Sequence, residues 1–389
     1  MNCFMSLRYE RPYYIIYMIF LLVVILTVKD AAAQIPLEQV LRKITVPSDK
    51  DLRGLVDIVG FPQTAEQMNY IGKTSDDHER TAISENQKKY SLDNTTALIC
   101  GISPHDDYTL ASYVYAHIHR YIKAKTVILI GNAHWSEAFG IRNRLVFGDF
   151  KYWRGPYGPV KVSDVQEQLL KKLKPASFTV NRSAAETEHS LEAQIPFLQY
   201  YNRNVEIIPI FIPYTDWDTM QTVGEELSTV VADIMRQNNW KLGTDIAILI
   251  STDGQHYGDY GWSYYNYHPY GCDADGYKKA TSLDSTLIRN YLTGAITSQK
   301  ILGFFSNVVD QANISNFKIT WCGRFAVPFG LHFASSLAKK YENKQLTGCL
   351  LRYGTSISEQ WLDLTRFKLG LTGDANLHHF VTYTAIGYK

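Results

Sequence analysis

The chain has 389 residues, 46% of them hydrophobic and 20% charged, an ordinary globular composition with ample material for a large core. A formal net charge of +1 leaves no electrostatic case for a nucleic-acid partner. Its five cysteines lie at long, irregular spacings with no CxxC pair, which argues against a zinc ribbon or a disulfide-dense scaffold.

The first 33 residues read as a targeting segment. Arg8 and Arg11 precede an apolar run, Tyr13–Val28, and Ala31-Ala32-Ala33 follows. This is the layout of a secretory signal peptide cleaved after Ala33, and the run is shorter than the ~20 residues a spanning helix needs. The mature protein is therefore expected to be exported, to a periplasmic or extracellular space. It would touch a membrane only through this segment, and only if the segment stayed uncleaved.

Residues 34–94 read as an N-terminal extension packing on the core, with a short helix over Leu37–Ile44 and an exposed charged stretch over Ser75–Lys89. Residues 95–389 read as one large α/β domain. Its first strand is expected at Thr95–Gly101, followed by a helix over Leu110–Lys123 and a strand at Thr126–Gly131, which together form a right-handed βαβ unit. Extended segments follow at Val146–Trp153 and Val160–Val162, then a helix over Asp164–Leu173 with Asp164 near its N-cap. A buried strand at Val205–Pro213, an amphipathic helix over Trp217–Gln237 and a strand at Asp245–Ser251 come next. Asp284–Leu292, Thr297–Gln311 and Phe325–Lys340 read as helices. The alternating run Phe380–Tyr388 reads as a final strand at a sheet edge.

Three of these strands run into loops that carry histidine: His105 after the first, His134 after the second, and Asp253 with His256 after Asp245–Ser251. Parallel strands end on one edge of a sheet, where open α/β folds build their ligand crevice. The four side chains are therefore expected to meet in one cleft. Two imidazoles at adjacent strand ends make half of a common first-row metal site. Asp253 suits either direct ligation or fixing an imidazole tautomer, and His256 suits a general base, since the unperturbed pKa of a histidine lies near neutrality. Cys322, in Thr320-Trp321-Cys322-Gly323-Arg324, reads as sitting at the mouth of a helix beside an arginine. Both features favour a thiolate, which is a metal ligand and also a nucleophile. Each residue has a plainer reading as well: a helix-capping loop histidine, a turn-forming aspartate, a buried inert cysteine. Glu188 and Glu192 are expected one helical turn apart on a helix opened by EHSLE, supporting the site rather than ligating. The six tyrosines and Trp262 between Tyr257 and Tyr270 read as a loop burying its own aromatics, or as a wall for a planar ligand.

SPHDDY (103–108), ILIGNAHW (128–135), EHSLEAQIPFLQ (188–199), STDGQHYG (251–258) and WCGR (321–324) occur in the order and at the spacing of a known set. The chain resembles the Memo-like family, also called AmmeMemoRadiSam system protein B, which is similar in fold to the class III extradiol dioxygenases. The resemblance implies a three-layer α/β/α sandwich around a mostly parallel central sheet, LigB-like. It implies an iron or copper site held by His105, His134 and Cys322, with Asp253 and His256 lining the same pocket as catalytic groups. Departures from the family's motifs fall at Asp106-Asp107, at Trp135 and in the long aromatic stretch Gly261–Gly276.

Three functions fit this reading. One is a metal-dependent redox enzyme, dioxygenase-like, with Fe2+ or copper. The second is a non-catalytic module that binds a peptide or partner in the cleft. The third is a Cys–His hydrolase with Cys322 as nucleophile and His256 as base. A disulfide between Cys272 and Cys322 would make metal binding redox-switched.

Overall fold

Unbroken runs of Ile, Val and Leu build the middle of one mixed sheet in the computed structural model, which describes residues 35–262, 266–359 and 362–389. The expected leader lies outside the described residues. The principal strands are β1 (Cys100–Ser103), β2 (Thr126–Asn132), β3 (Glu206–Ile212), β4 (Ile246–Ser251), β5 (Thr347–Thr355) and β6 (His379–Tyr388). They lie in the spatial order β3-β2-β4-β1-β6-β5. The first four are parallel, and β6 and β5 continue the sheet antiparallel. Short strands at Val160–Val162, Tyr152–Trp153 and Leu52–Arg53 extend it beyond β3.

Successive side chains on a strand point to opposite faces, and here both faces are covered. Ile128, Ile130, Ile208, Ile210, Ile248 and Ile250 pack on one side, under α4 (Trp217–Asn238) and α7 (Ala326–Glu342). Val127, Leu129, Ile207, Ala247 and Leu249 pack on the other, under α3 (Tyr108–His119). Two apolar faces on each strand explain why the runs do not alternate, and give the three-layer α/β/α sandwich. Burying each large aliphatic side chain contributes about 1.5–3 kcal/mol. Gly330 lets α7 lie directly on the sheet: a Cβ there would sit 2.6 Å from the Ile250 side chain. α5 (Ala274–Leu287) and α6 (Ser298–Val308) lie in the chain between β4 and α7.

Three expectations change. The first strand starts at Cys100 rather than Thr95, because Asp93 gathers Thr95 and Thr96 into a hydrogen-bonded turn. Ser75–Lys89 is not simply an exposed charged stretch. It spans the end of α1 (Ala65–His78) and most of α2 (Arg80–Tyr90), and Glu79 between them is buried. Its carboxylate meets His117 Nε2 at 2.7 Å and Arg352 Nε at 2.9 Å, so distant partners neutralise a charge that looks solvated in sequence. The final strand is internal, not an edge. All its residues are buried, between β1 and β5. Its alternation comes from hydroxyls that serve the interior: Thr382 Oγ1 accepts from Gln255 N at 2.8 Å, and Tyr383 donates to Asp106 at 2.5 Å. No helix among the described residues is long and apolar enough to cross a membrane.

Candidate metal centre

Parallel pairing sets the C-terminal ends of β1, β2 and β4 side by side, with Ser103 opposite Ser251 and Ile130 opposite Ile250. The loops beyond them therefore share one cleft. Cys322 arrives from elsewhere. Residues 320–322 pair with 254–256, through Cys322 N to Gly254 O at 3.0 Å and His256 N to Thr320 O at 3.1 Å. Gly323 permits this, since a Cβ there would lie 2.1 Å from Thr252 Oγ1. The result is a cluster in which Cys322 Sγ stands 3.1 Å from His134 Nε2 and 3.3 Å from His105 Nε2. His105 and Cys322 form a buried floor, 3% and 9% exposed. The His134 and His256 side chains, 25% and 28% exposed, stand at the opening.

The surrounding hydrogen bonds assign the tautomers. Ser251 Oγ gives its hydrogen to Ser190 O at 2.6 Å and accepts from Gln194 Nε2 at 2.8 Å. Its remaining contact, 3.1 Å to His105 Nδ1, therefore has Nδ1–H as donor. His134 Nδ1 likewise faces Glu188 Oε1 at 2.7 Å. His105 Nε2 is thereby left as an acceptor turned toward Sγ, the arrangement in which a hydroxyl orients an imidazole for metal. Burial pulls His134 down, but the Glu188 carboxylate and then Cys322 outweigh it and hold His134 well above the ordinary histidine range, so its Nε2–H faces Sγ and gives way when a metal binds. Asn132 Nδ2 donates to Sγ at 3.1 Å.

Charge is tuned in the same frame. Burial, then the neighbouring imidazoles, hold His105 well below the ordinary histidine range. Burial pushes the Glu188 carboxyl up, but the His134 imidazole outweighs it and holds Glu188 at about 2. Burial, then His134, push His189 down to about 4 and His256 down to about 3, so both are neutral near pH 7. Burial raises Asp253 to about 7, although its Oδ1 accepts from His105 N at 2.8 Å. Asp253 Oδ2 lies 3.9 Å from His256 Nε2, a buried atom with no hydrogen-bond partner.

The Memo-like protein family model matches residues 74–360. The chain belongs to the Memo-like family. It is 26% identical to a MEMO1 family protein of Pyrococcus furiosus over 273 residues, 68% of this chain and 82% of the relative. It is 31% identical over 162 residues to a MEMO1 family protein of Pyrobaculum arsenaticum, 40% of this chain and 53% of the relative. A third, from Thermococcus kodakarensis, is 26% identical over 47% of this chain and 60% of its own length. The last two matches thus span between half and two thirds of those relatives.

Within this Memo-like frame, the five residues singled out in the sequence fall in one place. His105, His134 and Cys322 group as candidate ligands, and Asp253 and His256 adjoin them. Three details differ from expectation. Cys322 is not at a helix mouth: α7 begins at Ala326, and the Arg324 guanidinium turns away to stack over Phe317 at 4.7 Å. Glu188 and Glu192 do not share a helix face, because only Glu192–Gln194 and Ile195–Tyr201 are helical. Glu188 serves His134, whereas Glu192 pairs with Arg53 at 2.7 Å. Cys272 and Cys322 are both free thiols. The aromatic stretch divides between the two readings. Tyr257 is buried against Phe380, while Trp262 lies 4.7 Å from the His256 ring.

Two contributors escaped the sequence reading. His189 stacks on His134 at 4.9 Å and meets His105 edge-on at 5.6 Å, adding a third imidazole to the wall. Its adjacency to Glu188 was the available signal. Arg53, in the N-terminal extension, is 1% exposed. It bonds Glu192 and the carbonyl oxygens of Ala185, Glu186 and Glu188, fixing the segment that delivers Glu188. Gly131 lets that segment close on β2, since a Cβ there would come within 2.6 Å of Leu191.

Proposed function

We propose that the chain is an exported metalloprotein that binds ferrous iron through His105, His134 and Cys322. The iron would serve O2-dependent redox chemistry on a small molecule or peptide held in the cleft. The convergence of two imidazoles and one thiol, with one ligand atom from each within 4.8 Å of the others, carries this reading. Two histidines with a third anionic donor and open positions are the pattern of non-haem iron sites, here with a thiolate as that donor. Copper, which also takes imidazole and thiolate, is the alternative. The leader-like N-terminus supports export.

When bound, such an ion supplies one-electron redox chemistry next to the substrate. The protein's own groups do the rest. His256 Nε2, which has no hydrogen-bond partner, is the group placed to accept a proton from an acidic substrate hydroxyl. Burial, which holds it at about 3, makes it a weak base until the Asp253 carboxylate ionises beside it. Asp253 stands 3.9 Å away to stabilise the imidazolium that results, and its bond to His105 N ties this acid–base pair to the floor. Trp262 and His189 wall the opening and limit water entry. The hydrolase reading gains less support, because Sγ is hydrogen-bonded to His134, His105 and Asn132 rather than to the intended base His256.

O2 uptake by iron-loaded protein, screened with catechols and cellular reductants, tests the proposal. Uptake should fall about 10²–10⁴-fold in His256→Ala while iron is retained. Iron-loaded protein that consumes no O2 with any of them would turn the function toward partner binding, and uptake undiminished in His256→Ala would remove the base.

A further inference from the structure

A second cluster of metal-binding side chains lies outside the cleft, on the chain segment that leaves His256. Asp259, Cys272 and His378 bring a carboxylate, a thiol and an imidazole together, with one ligand atom from each within 4.8 Å of the others. His378 Nδ1 sits 2.9 Å from Asp259 Oδ1. The Cys272 thiol faces the same carboxylate, and burial together with that charge raises its pKa.

Each member is delivered by a built frame rather than by a free loop. The strand at His256–Gly258 pairs with the start of β6, setting Gly258 opposite His379. Gly258, at φ +146, approaches so closely that a Cβ would lie 1.9 Å from His378 O. Asp259 N then donates to His378 O at 3.1 Å, and His378 N to Asn376 Oδ1 at 2.8 Å. On the other side, Tyr257 OH accepts from Tyr270 N and donates to Gly271 O, both at 3.0 Å, which fixes the turn before Cys272. Asp273 next to it caps α5 by accepting from Gly276 N at 2.8 Å. Three anchored elements converge on one point.

We propose that Asp259, Cys272 and His378 form a second metal site, which takes a zinc-class divalent cation with water completing a tetrahedral shell. One S, one N and one O donor suit an ion of borderline softness. On binding, Cys272 loses its thiol proton to solvent, so proton release accompanies metal uptake. The ion bridges the turn after Gly258, the start of β6 and the start of α5. Trp262, stacked on His379 at 3.6 Å and lying against His256, belongs to the same rim. The outer ion thus pins the border of the inner cleft without sharing a ligand with it.

Cobalt(II) added to reduced Cys322→Ser protein tests the site with the inner thiolate removed. A near-ultraviolet thiolate-to-cobalt charge-transfer band is expected, displaced by zinc and lost when Cys272→Ser is added. Absence of the band at saturating cobalt, or its persistence in the double variant, overturns the proposal. Zinc stoichiometry in the otherwise unaltered chain gives an independent reading: Cys272→Ser and His378→Ala should each bind one equivalent fewer than wild type. Equal stoichiometry in all three also overturns it. This difference holds whether or not the inner site binds metal.

Discussion

The inner cluster of His105, His134 and Cys322 and the outer cluster of Asp259, Cys272 and His378 draw on similar side chains but are assembled on different principles. In the inner cluster, third parties orient every member: Ser251 for His105, Glu188 for His134 and Asn132 for Cys322. The inner members also meet one another, both Nε2 atoms at Cys322 Sγ, but each is held in that position by a partner outside the cluster. In the outer cluster the members satisfy each other, His378 through Asp259. A metal arriving there must replace existing hydrogen bonds, and it does so in the presence of water. Preorganisation by buried partners should make the inner site the tighter one.

Substitutions can break this contrast from either side. The largest effect is expected from Arg53→Ala, which leaves Glu192 buried without its cation, 2.7 Å away in the native protein. It should cost roughly 3–5 kcal/mol in urea unfolding and weaken the inner site by loosening the Glu188 segment. Glu188→Gln keeps the shape but removes the carboxylate that fixes the His134 tautomer. Inner-site affinity should fall about 10–100-fold in chelator competition, with the outer cobalt band unchanged. Ser251→Ala removes the acceptor for His105 Nδ1–H and should cost about tenfold by the same assay. Asp259→Asn is the mildest. It alters an exposed carboxylate, so the thermal unfolding midpoint should report a change within about 0.5 kcal/mol, with inner metal content intact and the outer band weakened. An equal loss of inner metal in Asp259→Asn and Glu188→Gln would erase the distinction between the two sites.

The inner ligands were legible because the physics that places them is repetitive. β2 and β4 are largely apolar runs and the run Thr95–Gly101 leads into β1. Such runs lie parallel, and parallel strands end together, so His105, His134 and Asp253 had to be neighbours even though β1 itself starts only at Cys100. Cys322 was legible through its motif; the pairing of 320–322 with 254–256 that carries it in leaves no periodic trace. Arg53 was not legible at all. It sits in a polar extension, and its partner Glu192 lies 139 residues away. Asp106, a departure from the family motif, is bonded by Tyr383 near the other end of the chain. The same tyrosine helped give β6 the alternation of an edge strand. In each case the sequence shows a polar residue, while only the fold shows that its partner is protein rather than water.

Elemental analysis of anaerobically purified protein tests the central claim most directly, comparing wild type with His105→Ala and Cys322→Ser. One equivalent of iron per chain in wild type, lost in both variants, is the predicted result. Wild-type protein without iron or copper, or iron retained in both variants, would contradict it.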